Sequence, residues 1–375
     1  MPKKKKTDPN LLVITCFRIW WNAQAHYAFQ LALAAKELHK NLHVIGLAGS
    51  PLLKKCKEQQ IATHGLRSLF FSFRFFFLLQ TLKPNQIFSF TSWEHPVLWL
   101  QKWKNPKSFF WVKIKSSAQK TKQHFFNRRL YAKMDQLVAV SPNTQKELAV
   151  FSPQTPPILY FGSKGPQGKI RKTKSEIKKN WGWKAELPVF CLLGRTQELK
   201  GHLEALQAFR PLCQQAYLLF LVKNLTEYPL EIQKIKEYIQ KHNLQEKVKI
   251  LGPQENLKEI LQVVDCGLIP SKESEEICRV LVEFFSLSIP VIAYPTGALS
   301  SLVEEGKNGF LCHHKNWKDL NEKLQQFLNL HQFSKQKNHP LEKIKQESKK
   351  NYDLHFRWEI FVSHWKPILN HTISK

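Results

Sequence analysis

DCGLIPSKESEEICRVLVEFFSLSIPVIAYPTGALSSLVEEGKNGFLC, residues Asp265–Cys312, is the stretch that decides the fold class. An apolar strand (Cys266–Pro270) runs into a loop carrying Glu273, Glu275 and Glu276. A helix over Ile277–Ser288 follows, then a β-branched strand at Pro290–Ala293 and a glycine-punctuated loop. This is a βαβ unit with acidic residues at the carboxyl end of a strand, where open α/β sheets bind ligands.

The same alternation extends in both directions. Upstream, strands are expected at Pro188–Leu193, Tyr217–Val222 and Val248–Leu251, with helices at His202–Phe209, Leu230–His242 and Leu257–Val264. The first half repeats the scheme. Strands are expected at Leu11–Phe17, Leu42–Leu47, Gln86–Phe90, Phe109–Ile114 and Gln136–Val140. Helices are expected at Ala25–His39 and, long and basic, near Gln119–Met134. Pro153–Gly168 is the linker candidate, and Lys169–Lys179 reads as a solvated basic segment. The fold class is therefore α/β, with two doubly wound, Rossmann-like domains. The glycines of the linker (Gly162, Gly165, Gly168) lack a following apolar helix, so they do not form a dinucleotide loop.

The 57 Lys and Arg outnumber the 29 Asp and Glu, for a formal net charge of +28. Such an excess calls for nucleic acid, an anionic membrane or an acidic substrate. Seven scattered cysteines with no C-x-x-C spacing argue against a disulfide framework and a zinc site. Met1–Thr7 is polybasic, but Leu11–Cys16 is too short for a signal core. The phenylalanine-rich run Leu66–Leu82, which includes Phe70, is broken by Arg67 and Arg74 and falls short of the ~20 apolar residues of a span. A buried or interfacial helix is expected there.

Two groups carry chemistry. Glu275 and Glu283 have seven residues between them, about 12 Å along a helix. Ionised carboxylates accept from vicinal diols, so the pair suits the two hydroxylated ends of a nucleotide-sugar. Equally, Glu275 and Glu276 could complement a helix dipole with Ser274 as N-cap. Second, Gly194-Arg195-Thr196-Gln197-Glu198-Leu199-Lys200-Gly201-His202 joins a strand to a helix start, a sensible anion site with a forked and a mobile cation. Two surface cations in a basic protein would look the same.

Taken together, Pro270-Ser271, Glu275-x7-Glu283, Pro290–Ala293, Gly297 and Glu304–Leu311 fall in an order that resembles the donor-binding segment of family-4 retaining glycosyltransferases. The loop Gly194-Arg195…Lys200-Gly201-His202 is similar to that family's diphosphate signature, and Ala132–Pro142 to one of its N-terminal steps. The chain departs from the family at Cys278, at Gly297–Ser301 and at Trp20–Gln24, where the family usually has Gly, Gly-Gly-x-Pro-Glu and a Gly-Gly pair.

The resemblance implies the GT-B fold, two such domains facing a cleft. Its domains would be a basic tail over 1–10, an acceptor-side domain over 11–165 and a nucleotide-sugar domain over 166–345. A helix within 346–375, around Tyr352–Leu369, would cross back to the first domain. It implies donor contacts from Gly194, Arg195, Lys200, Glu275, Ile277, Leu281 and Glu283. Catalytic roles would fall to Arg195, Lys200 and Glu275, with His95 on the acceptor side. Asp-x-Asp is absent from the sequence, so no metal and no cofactor is expected beside the donor.

The expected activity is transfer of a sugar, with retention, to a membrane-associated acceptor such as a lipopolysaccharide core or glycolipid. The expected location is peripheral, at the cytoplasmic face of the cell membrane. Lys113, Lys115, Lys120, Lys122, Arg128 and Arg129 are expected to meet anionic lipid together with the phenylalanine-rich helix. Two alternatives remain: a GT-B scaffold that binds without transfer, and a nucleic-acid-binding protein. For the latter, Lys102–Arg129 interleaves Trp103, Phe109, Phe110, Trp111, Phe125 and Phe126 with cations. The Glu275–Glu283 and Arg195–Lys200 constellation speaks against nucleic acid.

Overall fold

The computed structural model describes residues 10–67, 71–117, 119–273, 275–332 and 339–371. The polybasic residues 1–9, Phe70 and Ser274 lie outside them. The chain forms two compact units: one runs up to Gly162 and resumes at Trp358, the other spans Ser163–Arg357.

Unit 1 contains β1 (Leu12–Cys16), β2 (Leu42–Leu47), β3 (Ala62–Leu66), β4 (Gln86–Ser89), β5 (Phe110–Lys115) and β6 (Gln136–Ala139). All pairings are parallel, in the order β3-β2-β1-β4-β5-β6. Unit 2 contains β7 (Val189–Gly194), β8 (Tyr217–Val222), β9 (Val248–Leu251), β10 (Cys266–Ile269), β11 (Val291–Ala293) and β12 (Gly309–Leu311). Its order is β12-β11-β10-β7-β8-β9, again parallel. Within each unit the first and fourth strands are neighbours, so both sheets are doubly wound with a switch point there: β1/β4 and β7/β10. Strands buried on both faces read as near-continuous apolar runs, which is why Tyr217–Val222, every residue buried, could be bounded from sequence.

The last helix, Trp358–Leu369, belongs to unit 1. Tyr27 donates its hydroxyl hydrogen to the Leu159 carbonyl (2.7 Å) and accepts from Trp365 Nε1 (3.3 Å). Trp358 Nε1 donates to Glu37 at 2.8 Å. Helix Pro340–His355 instead packs in unit 2, burying Leu341 and Ile344, so the chain returns to unit 1 at Trp358 and not at residue 346.

Several expectations need correction. The helix near Gln119–Met134 is short, Phe125–Tyr131, because His124 caps it late by accepting from Asn127 N–H. Lys113 and Lys115 are buried on β5 and so do not lie on a surface that could rest against a membrane. Lys113 donates to the carbonyls of Phe90 (2.9 Å) and Thr91 (2.8 Å), and Lys115 pairs with Glu147 at 3.2 Å. The 169–179 segment is not wholly solvated: Lys178 is buried, donating to the carbonyls of Ala185 and Leu187. Burial pulls its pKa down to about 8. Within the stretch considered for base stacking, Lys102, Phe109 and Trp111 are buried, Lys102 against Asp135, while Trp103, Phe125 and Phe126 remain exposed.

In the phenylalanine-rich helix, Phe71–Leu82, Phe75 is buried against Phe17 while Phe73 and Phe77 are exposed. Among the described residues no helix is long and apolar enough to cross a membrane.

Removing the Tyr27 hydroxyl tests the docking of the last helix. Tyr27→Phe leaves a buried carbonyl and a buried indole N–H without partners, a cost of about 1–3 kcal/mol. Equilibrium urea unfolding should show that loss; an unchanged midpoint would contradict it.

Candidate functional site

Three loops of unit 2 meet at the carboxyl ends of β7, β10 and β11. The first leaves β7 at Gly194, carries Arg195, makes a single turn over Glu198–Lys200 and reaches Gly201. Gly201 has φ +75°, and a Cβ there would lie 2.4 Å from the Pro270 carbonyl oxygen. Only glycine fits that backbone conformation and that approach. Helix His202–Phe209 starts immediately afterwards.

The second loop leaves β10 through Pro270 and Ser271. Lys272 N–H donates to the Leu199 carbonyl at 2.9 Å, which ties it to the first. Glu275 accepts from Lys200 and from Ser271 Oγ, the latter at 2.8 Å. Its own backbone carbonyl accepts from Ala298 N–H at 3.0 Å, joining the loop after β11. Lys200 and Glu275 are thus brought together at the switch point, while Gly194 and Arg195 stand at the start of the same loop, Arg195 turned to Glu227.

Helix Arg279–Ser286 begins four residues after Glu275, so that residue stands in the loop and the 12 Å helical spacing to Glu283 does not apply. Glu283 is on the helix and largely buried, 3.8 Å from Arg279. Burial raises its pKa, and Arg279 opposes the rise. Ile277 and Leu281 are buried, and Leu281, wholly covered, presents no surface to a ligand. His202 is buried and held neutral, its pKa pushed down to about 3 by desolvation and by Lys200.

Both cations are partnered. Lys200 holds Glu275, and Arg195 lies 3.5 Å from Glu227. Ser271 and Glu227 were not among the residues anticipated. Ser271 stands in the quoted motif, but nothing in the sequence ties Glu227 to Arg195. Chemically, the arrangement offers two cations and a helix start to an anion, with two carboxylates nearby for hydroxyl groups.

His95 belongs to unit 1. It is buried in the first turn of helix His95–Lys104, edge-on to Trp111 and Tyr131. Burial and Lys113 hold its pKa well below the usual value, and its Nε2 has no hydrogen-bond partner. It lines a cavity of about 650 Å³.

A side chain at 201 tests the loop junction. Gly201→Ala should cost about 1–3 kcal/mol through strain at positive φ, before any shift relieves the clash with Pro270. Urea unfolding should register the loss, and an unaltered midpoint would mean that the loop is free to move away.

Residues 173–348 match the family model described as "Glycosyl transferases group 1". The N-acetyl-alpha-D-glucosaminyl L-malate synthase of Bacillus anthracis is 24% identical over 144 residues, 38% of this chain and 36% of that protein. The alignment thus spans only about a third of that curated relative's length. A glycosyltransferase structure from Rickettsia africae superposes with a TM-score of 0.81 at 15% identity, covering 96% of this chain and 98% of that one. The Anabaena protein HepE, solved in complex with UDP, gives 0.78 at 15% identity over 96% and 99%. At such identities these likenesses speak to fold alone. The chain has the GT-B fold, and its residues 173–348 match the glycosyl transferases group 1 family.

Proposed function

We propose that the protein transfers a sugar from a nucleotide-sugar donor, a uridine diphosphate sugar, to an acceptor at a membrane. The observation that carries this reading is the Lys200–Glu275 pair at the β7/β10 switch point, on a loop that begins with Arg195 and ends at the start of helix His202–Phe209. The family match over residues 173–348 supports the reaction class, and the UDP complex of HepE supports the donor.

Arg195 and Lys200 face the diphosphate. For that, the donor's phosphates displace Glu227 from Arg195 and share Lys200 with Glu275. As the glycosidic bond breaks, negative charge grows on the leaving phosphate oxygen, and both cations gain attraction along the reaction coordinate. Glu275 approaches the sugar end and Glu283 accepts from the ribose hydroxyls. Transfer proceeds through an oxocarbenium-like transition state with retention, by analogy with glycoside chemistry.

The acceptor is of the lipopolysaccharide-core or glycolipid type, and the enzyme works peripherally at the cytoplasmic face. Exposed Lys120, Lys122, Arg128 and Arg129, with exposed Phe125 and Phe126, give unit 1 a cationic and aromatic surface suited to anionic lipid.

Arg195→Ala should lower kcat on the order of 10²–10³-fold, beyond any rise in donor KM, and chelation should leave the wild-type rate intact. A normal kcat in that variant, or an enzyme that stops on chelation, would assign the leaving group to other residues.

Glu283→Gln should raise the Kd for UDP in titration calorimetry. Because burial raises the Glu283 pKa, the carboxylate is lost as pH falls through a value above that of an ordinary Glu. Wild-type UDP affinity should therefore fall over that range, and the Gln variant should lack the fall. A pH-independent affinity would remove Glu283 from the ribose.

A further inference from the structure

The cavity of unit 1 sits at that unit's own switch point, lined from the carboxyl ends of β1 (Arg18), β4 (Phe90, Thr91) and β5 (Lys115, Ser116). We propose that it is a binding site for an anionic sugar, one carrying a phosphoryl or carboxylate group, and that this sugar is the acceptor. Only the word acceptor rests on the transferase reading; the site's ligand chemistry stands independently.

Charge points to such a ligand. Arg18, Lys113, Lys115, Lys120 and Lys122 all line the cavity, and among the described residues no Asp or Glu does. Lys115 is balanced by Glu147. The Arg18 Nε–H donates to Gln24, whose amide nitrogen is held by the Phe90 carbonyl (2.8 Å) and Ser116 Oγ (2.9 Å). That fixes the amide oxygen toward Arg18 and aims the guanidinium, leaving its terminal N–H groups for a forked acceptor.

Lys113 uses two of its three N–H groups on carbonyl oxygens. The buried carboxylate near it, Glu94, is engaged by Thr15 Oγ1 (3.1 Å) and by both the backbone and hydroxyl of Thr91. Glu94 and Lys113 thereby hold the same turn after β4 from two sides. A desolvated ammonium without an ion-pair partner is costly, and burial lowers its pKa to about 8. An anionic ligand would restore the balance.

An unpartnered polar atom points the same way. His95 Nε2 is buried and makes no hydrogen bond, on a residue that lines this cavity. A sugar hydroxyl or an acidic oxygen would complete it.

Shape agrees. About 650 Å³ lies within the range of small-ligand pockets, and Trp99, Phe126 and Tyr131 supply an aromatic wall for the C–H face of a pyranose.

Calorimetric titration of the ligand-free wild-type protein with glucose 6-phosphate, glucuronate and glucose tests this. The two anionic sugars should bind at least about tenfold more tightly than glucose, the scale of one charge-assisted contact. Arg18→Gln and, separately, the exposed Lys120→Gln should weaken that binding while leaving the Kd for UDP unchanged, and Lys120→Gln should also leave the Tm unchanged. Arg195→Ala should do the opposite, weakening UDP alone.

Monomeric dihexanoyl phosphatidic acid against dihexanoyl phosphatidylcholine separates a lipid phosphate from a sugar phosphate. Arg18-sensitive binding of either anionic probe supports the site and names its source. Anionic sugars no tighter than glucose, with no Arg18-sensitive lipid phosphate, would overturn it. So would anion binding abolished by Arg195→Ala and untouched at Arg18. A protein that fails to bind UDP but passes these arms would overturn the donor reading alone.

Discussion

The contact between Gly201 and Pro270 is the constraint around which unit 2's site is built. Because the glycine backbone comes within reach of the Pro270 carbonyl, the loop after β7 and the loop after β10 share one floor. Lys200, one residue earlier, is thereby delivered to Glu275, and Arg195 stands at the other end of the same loop. A bulkier residue at 201 would separate a cation from its carboxylate without altering either. The doubly wound order supplies the rest, since it is only between the first and fourth strands that successive loops diverge to opposite faces and leave a crevice.

Unit 1 solves the same geometric problem with different chemistry. Where unit 2 sets Glu275 against Lys200, unit 1 sets buried Lys113 against two backbone carbonyls. A carbonyl can hold an ammonium in place without neutralising it, so a lysine bound this way keeps its field. Glu94 stabilises the turn after β4 instead of pairing with a cation. Two sheets of one topology thus present surfaces of different charge balance at equivalent strand ends.

The sequence made much of this legible, because parallel strands buried on both faces leave continuous apolar runs. Tyr217–Val222, Val248–Leu251 and the helix His202–Phe209 have the bounds the periodicity gave. Two edge strands were harder: Ala62–Leu66 (ATHGL) is mostly exposed or half-buried and lacks the apolar density of central strands, and Gly309–Leu311 is only three residues long. Glu275 was read onto a helix because apolar spacing begins at Ile277, but regular hydrogen bonding starts only at Arg279. The largest miss was electrostatic. Lys113, Lys115 and Lys178 look like surface charge in a chain of net charge +28. Only the fold reveals that Lys113 and Lys178 end on main-chain oxygens and Lys115 on an acid and a carbonyl, partners that no spacing rule encodes.

The split of unit 1 along the chain has a consequence for biosynthesis. Ser163 N–H donates to the Phe356 carbonyl at 2.7 Å, so unit 2 begins and ends at one spot, as an insertion would. Unit 1, in contrast, is interrupted after Gly162 until Trp358 has been made. At ~5–20 residues per second on the ribosome, that delay is on the order of 10–40 s. Throughout it, the apolar surface of Tyr27 and Phe88 that Trp365 later covers is open to solvent. The inserted unit can therefore be complete before the unit that hosts it, whose aromatic cover from Trp365 arrives last.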